Sequence, residues 1–207
     1  EEFVVIRRPD AALRRDNAWY GNKSITSAFI DMLQTVTILL TPQENLLCMA
    51  EARRRVAHAF ATHCKTDAAD DRVLDLHYKG AQGEYVVHKF TGFPVYFGDD
   101  NIGVKTQSDV GPYEVKTAST RANEKNTKPL IVKSHNRLDA DYILVEKYDN
   151  RTFSICGWMN GNEIAEKGTK TVYYQKPCYE VKQTMLHPVA TIQKNDNESE
   201  LRLWPSI

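Results

Sequence analysis

Apolar and polar positions divide this chain into short β-like runs and two longer helical stretches. Thr35 to Leu40 is a β-branched, apolar run and predicts a strand. Thr41-Pro42-Gln43-Glu44 follows at once. Threonine at the cap, proline at the first helical position and glutamate three residues after the cap predict a helix start. The helix is expected to run to about His63, with Leu46, Leu47, Met49, Ala50, Val56, Ala57 and Phe60 as its apolar positions. Lys65 to Asp71 reads as polar linker. Val73 to Tyr78 reads as a short strand, and Ala81 to Phe90 as a helix with Ala81, Tyr85 and Val86 facing inward and Glu84 beside them. Gly92-Phe93-Pro94 ends it. Val95 to Phe97 reads as a short strand, and Gly98 to Ser108 as polar loop.

The pattern then turns to strands. Asp109-Val110-Gly111-Pro112-Tyr113 predicts a tight hairpin, since glycine allows unusual backbone angles and proline fixes φ. Tyr113 to Thr117 alternates and is rich in β-formers. Ser119 to Pro129 is polar and basic, and Leu130 to Lys133 resumes a strand. Asp141 to Glu146 predicts a buried strand, Asp149-Asn150 a turn, and Thr152 to Trp158 its hairpin partner. Asn160 to Lys167 predicts one or two helical turns, and Val172 to Leu186 is mixed. The order predicts an α/β fold with a mixed central sheet flanked by helices. It also predicts an N-terminal extension over 1–30, one domain over 31–193 and a polar tail over 194–207.

Chemistry concentrates around the expected hairpin. Side chains two apart on a strand share a face, so Glu114 and Lys116 point together while Val115 points away. Asp109, before the turn, can lie beside them. Two carboxylates and an amine then meet at one end of a sheet. Oxygen-only ligands suit magnesium or manganese, which bind through one or two carboxylates plus substrate phosphate. Such an ion polarises a phosphodiester, and a nearby lysine stabilises developing charge. The triplet alone is a weak signal, because Glu180-Val181-Lys182 repeats it. That copy lacks an upstream aspartate, so it is expected to be a surface strand.

Composition changes the picture little. The 207 residues are enough for one domain with a sizeable core, and 27 basic residues balance 27 acidic ones. A nucleic-acid-binding face must therefore be local. Arg121, Lys125, Lys128 and Lys133 are the candidates, with Glu124 the only acid between Lys116 and Arg137. Arg7-Arg8 and Arg14-Arg15 read as a solvated extension, and Arg53-Arg54-Arg55 as a solvated helix face, before either reads as a phosphate contact. His135 is a candidate acid/base group but reads first as a polar loop residue. Histidine spacing gives no zinc site, and no nucleotide-cradling glycine loop or nucleophile elbow is present. There is no apolar run long enough for a membrane span, and no basic-then-apolar leader at Glu1-Glu2. Cys48, Cys64, Cys156 and Cys178 are scattered and are expected to be reduced, intracellular thiols.

Glu84 on its helix, Asp109 at the turn and Glu114-x-Lys116 on the next strand resemble the PD-(D/E)XK nuclease superfamily, the restriction-endonuclease-like fold. Thr41-Pro42-Gln43-Glu44, Gly80-Ala81-Gln82-Gly83-Glu84, Asp109-Val110-Gly111, Asp141-Tyr142-Ile143-Leu144-Val145, and Gly157-Trp158 followed by Leu186-His187-Pro188 are similar to small phage and bacterial members. The resemblance spans roughly residues 35 to 190. It implies a magnesium- or manganese-dependent nuclease acting on nucleic acid, DNA first. Asp109 and Glu114 would hold the ion, Glu84 would hold or orient a second ion or water, and Lys116 would assist the attacking water. It implies a cytoplasmic protein, of the host cell for a phage-encoded chain, and is compatible with a dimer. Ser108 stands where the superfamily pattern has proline. Relatives that keep the frame without the triplet leave a second reading open, a catalytically silent nucleic-acid- or protein-binding module such as a phage accessory protein.

Overall fold

The computed structural model describes residues 35–62, 70–97, 108–120, 127–173 and 175–195. The extension over 1–30 and the tail from 196 lie outside them. The described chain is mixed α/β, with two sheets and three α-helices. Strand β1 (Val36–Leu39) leads into helix α1 (Pro42–Thr62), and α2 (Asp70–Thr91) follows. Then come β2 (Tyr113–Ser119), β3 (Leu130–Lys133), β4 (Asp141–Lys147) and β5 (Thr152–Asn160). Helix α3 (Gly161–Lys167), β6 (Thr169–Tyr173) and β7 (Lys176–Val181) complete the regular elements, ahead of two short 3-10 turns.

The main sheet has the order β1-β5-β4-β2. Strands β4 and β5 pair antiparallel, as their hairpin pattern predicts, and β1 pairs antiparallel with β5. Strand β2 pairs with β4 in parallel. A parallel pair needs a crossover, and the chain between β2 and β4 carries β3 into a second, antiparallel sheet of order β3-β7-β6.

Strand β4 separates two cores. Ile143 and Val145 join Val115, Phe153, Ile155 and the α2 residues Val86 and Val87 on one face. Tyr142 and Leu144 join Leu130, Val132, Met159, Val181 and the α3 residue Ile164 on the other. The main sheet is thus flanked by the long helices on one side and by the second sheet with α3 on the other. That second sheet is not foreseen in the sequence pattern, where 172–186 reads only as mixed.

Local signals govern the first helix. The Glu44 amide donates to Thr41 Oγ1 at 3.2 Å, and the Thr41 amide donates to Glu44 Oε2 at 2.6 Å, a complete capping box. Lys89 Nζ, in the last turn of α2, reaches Glu44 Oε1 at 2.9 Å, so the two helices run antiparallel. The expected strand over 73–78 is instead part of α2. Its brief alternation is outweighed by the longer spacing Tyr78, Ala81, Gln82, Tyr85 and Val86, which is helical. Gly80 and Gly83 lower helix propensity there and so hide the continuity. Val95 forms a single bridge to Val110 rather than a strand. Among the described residues no helix is long and apolar enough to cross a membrane. Cys48, Cys156 and Cys178 are buried free thiols, and Cys64 lies outside the described residues.

The contact of α2 with β2 is very close. A Cβ on Gly83 would lie 1.9 Å from Thr117 Oγ1. Gly83→Ala is therefore expected to cost about 1–3 kcal/mol, the range for overpacking. Thr117→Ala in the same chain should recover much of that loss, because it removes the colliding hydroxyl. Denaturant midpoints of the two single variants and the double variant check this. A Gly83→Ala penalty that the second substitution leaves unrelieved would contradict it.

Candidate active site

The site is built on β2, whose only ladder partner among the described residues is β4. A tight turn sets its start. The Tyr113 amide donates to the Val110 carbonyl at 2.9 Å, and the Val110 amide to the Tyr113 carbonyl at 3.0 Å. Gly111 between them has φ of 51°, the left-handed region that glycine adopts without a Cβ penalty. The expected hairpin is thus a turn with a single bridge, not a strand pair; the ladder of β2 runs to β4 instead.

Asp109 sits just before the turn. Its Oδ2 accepts from the Val115 amide at 2.8 Å. An edge strand leaves amides without a strand partner, and here the Asp109 carboxylate takes the place of a neighbouring strand. That bond fixes Asp109 alongside Glu114.

Glu114 and Lys116 share a face, while Val115 is buried in the helix-side core. Lys116 Nζ lies 3.6 Å from Glu114 Oε2 and 5.3 Å from the centroid of the Tyr142 ring. Tyr142 is the parallel-ladder partner of Glu114 and is fully buried. Burial first, then the Asp109 charge, pushes the Glu114 carboxyl above its usual range, against the pull of Lys116 and Arg137. Burial and the Glu114 charge push the Tyr142 hydroxyl up to about 12. The Tyr142 hydroxyl donates to the Arg137 carbonyl at 2.7 Å. The Arg137 guanidinium in turn donates to Ser108 Oγ at 3.3 Å, next to Asp109.

Glu84 projects from α2, buried at 6 % exposure, and is not free. Arg55 of α1 forks onto both of its oxygens, at 2.7 and 2.5 Å. Arg55 Nε also donates to Glu51 Oε1 at 2.7 Å, and Arg54 holds Glu51 as well. Burial pulls the Arg55 guanidinium down, but Glu84 and Glu51 outweigh it and raise it. Burial pushes the Glu84 carboxyl up, Arg55 opposes this, and the charge of Asp109 adds to the rise. Arginine stays charged in proteins, so a carboxylate accepting its fork on both oxygens is an ion-pair partner. The expected solvated face of Arg53-Arg54-Arg55 is therefore corrected at two of the three positions; Arg53 alone is exposed.

This geometry decides which residues suit a divalent ion. Among the described residues no group of three or more His, Cys, Asp or Glu side chains is disposed to hold one. Asp109 and Glu114 nonetheless fit the magnesium pattern of one or two carboxylates completed by substrate phosphate. Glu84 does not add to them, since both its oxygens are engaged.

The predicted basic face is only partly described. Arg121 and Lys125 lie outside the described residues. The Lys128 backbone is pinned, its amide to Glu146 Oε1 at 3.0 Å and its carbonyl to Gln183 Nε2 at 3.0 Å. Lys133 is exposed at the end of β3, in the second sheet. His135 is exposed in the turn that follows. The second triplet residue, Glu180, lies in β7 opposite Ile131 and Thr169, with no aspartate in register. Arg55, Arg137 and Tyr142 join the site without having been selected from the sequence. Arg137 is visible there only as one cation of a basic interval, and the partners of Arg55 and Tyr142 depend on packing that no local pattern encodes.

Glu114 gives a pH-dependent expectation. Its ordinary value is 4.5, and folding raises it. Above 4.5 the folded chain therefore holds more protons at this group than the unfolded chain, so stability falls as pH rises through that window and stays lower at neutral pH. Glu114→Gln should unfold at a higher denaturant concentration than the native protein at neutral pH. The gap should narrow as pH is lowered through 4.5. A lower midpoint for the variant at neutral pH would contradict the rise that burial and the Asp109 charge impose on Glu114.

A comparison with protein-family models, with curated proteins and with solved structures finds no match for the chain, and the reading of the site rests on its own residues and distances.

Proposed function

We propose that this chain is a metal-dependent nuclease with a restriction-endonuclease-like core, hydrolysing phosphodiester bonds of nucleic acid, DNA first. The observation that carries the proposal is the placement of Asp109 and Glu114 beside Lys116 on β2, the edge strand of the main sheet among the described residues. Burial first, then the Asp109 charge, raises Glu114, and Lys116 and Arg137 offset this only in part. A protein gains nothing in stability from such crowding; a cation and a phosphate give it a purpose. The order of a helix, an edge strand bearing acid-x-lysine and a parallel neighbour supports the core assignment.

Asp109 and Glu114 would hold magnesium or manganese. When bound, the ion supplies positive charge to the phosphodiester and makes a water more acidic. The remaining work falls to side chains. Lys116 is held over the Tyr142 ring beside Glu114 and meets negative charge as it develops on the phosphate. Asp109 keeps one oxygen on the Val115 amide, which holds its carboxylate in place. Glu84 takes no direct part; it anchors α2 to α1 through Arg55. One observation favours the second reading, a binding module without turnover: the fork of Arg55 on Glu84 removes a third acid from the cluster.

Incubation of the purified protein with labelled duplex and single-stranded DNA, with magnesium and with chelator, tests the proposal. Cleavage should need the ion. Lys116→Ala should lower the rate by about 100-fold or more, the scale for losing one transition-state donor, with folding and affinity nearly intact. Glu180→Ala should cleave like the native protein. Native-rate cleavage by Lys116→Ala, or an equal loss from Glu180→Ala, would overturn the assignment; binding without magnesium-dependent cleavage would favour the binding module.

A further inference from the structure

The loop between β3 and β4 brings a second cation to the acid pair. Arg137 is far from Asp109 in sequence, yet its Nη1 lies 3.3 Å from the hydroxyl of Ser108, the residue before Asp109. Its backbone is fixed rather than loose. The carbonyl accepts from the Tyr142 hydroxyl, and the same Tyr142 ring lies under the Lys116 amine. Farther along the loop, the Gly161 amide of α3 holds the Ala140 carbonyl at 2.8 Å. One buried tyrosine thus contacts both residues, Lys116 over its ring and the Arg137 backbone at its hydroxyl.

The contact between Arg137 and Asp139 is a long one. Arg137 Nε and Nη2 face the two oxygens of Asp139 at 3.4 and 3.5 Å, long for charge-assisted bonds. The Asp139 side chain is 75 % exposed. Exposed pairs of this kind contribute little to stability, so this contact yields readily to a better partner. A carboxylate presenting two oxygens to the Nε edge of a guanidinium has the same donor–acceptor pattern as two non-bridging oxygens of a phosphodiester.

We propose that Arg137 is a phosphate-binding residue of the candidate site, taking the non-bridging oxygens of a nucleic-acid phosphodiester in place of Asp139. This rests on the nuclease reading and adds the side chain that seats the phosphate beside Asp109 and Glu114. Arginine forks onto phosphate through two parallel bonds, whereas lysine offers a point charge. Asp139 competes for the same edge while the site is empty of substrate.

The test measures binding to labelled duplex DNA by fluorescence anisotropy, with magnesium, over a range of salt, in a Lys116→Ala background that suppresses cleavage. Arg137→Gln should weaken binding by roughly tenfold and flatten the slope of log affinity against log salt by about one unit, the effect of one lost phosphate contact. Arg137→Lys should keep the slope but not the full affinity. Asp139→Asn, which leaves Arg137 in place, should tighten binding. Thermal unfolding of each variant separates loss of fold from loss of contact. If Arg137→Gln, or Arg137→Lys where the glutamine variant does not fold, binds with the affinity and slope of the background chain and Asp139→Asn does not tighten binding, the inference is overturned and the nuclease reading stands. If the background chain itself binds no DNA, the nuclease reading falls and takes the inference with it.

Discussion

Helix α2 crosses β2 with no room for a methyl group at Gly83, and the site depends on that approach. At this depth the residue after the glycine, Glu84, is buried against the sheet. A carboxylate there needs a partner, because an unpaired buried charge is costly. Arg55 supplies it from α1. A fork removed on one side would leave the other charge stranded, a loss of about 3–5 kcal/mol in buried pairs. The ion pair therefore ties α1 to α2 at the same level at which α2 meets the edge strand. Gln82, one residue earlier, is fully buried and bonds Asn45 of α1 at 2.6 Å and Lys147 of β4 at 2.7 Å. Three consecutive residues of α2 thus fix its distance to the sheet, its register on α1 and its rotation.

The acids around β2 fall into two electrostatic classes. Glu84 is neutralised by a permanent cation in good geometry. Burial first, then the Asp109 charge, makes ionisation of Glu114 costly, and Lys116 at 3.6 Å offsets this only in part. A fold built only for stability would replace one of the two. The edge position matters as well: among the described residues β2 is the last strand of the main sheet, and Asp109 reaches its Val115 amide where a further strand would pair.

Much of this was legible in local sequence. Thr41 to Glu44 encodes its own cap, the β4–β5 hairpin follows from two apolar runs on either side of the Asp149-Asn150 turn, and the shared face of Glu114 and Lys116 follows from strand geometry alone. What was not legible is non-local. The Val73 to Tyr78 alternation is too short to outweigh a helix that α1 and β4 stabilise from both sides. The parallel partner of β2 and the second sheet depend on a crossover whose course no turn residue announces. The arginine triplet looks like a solvated face because only the packed helix pair reveals that Glu51 and Glu84 wait beneath it.

On the proposed nuclease reading, Asp109 and Glu114 serve an ion and Glu84 serves the fold. Titration of manganese into the native protein and into Asp109→Ala, Glu114→Gln and Glu84→Gln, followed by calorimetry or paramagnetic broadening, tests that division directly. Binding is expected in the native protein and in Glu84→Gln, and its loss in Asp109→Ala and Glu114→Gln. A signal from Asp109→Ala equal to the native one, or a loss in a folded Glu84→Gln as large as that in Glu114→Gln, would contradict it.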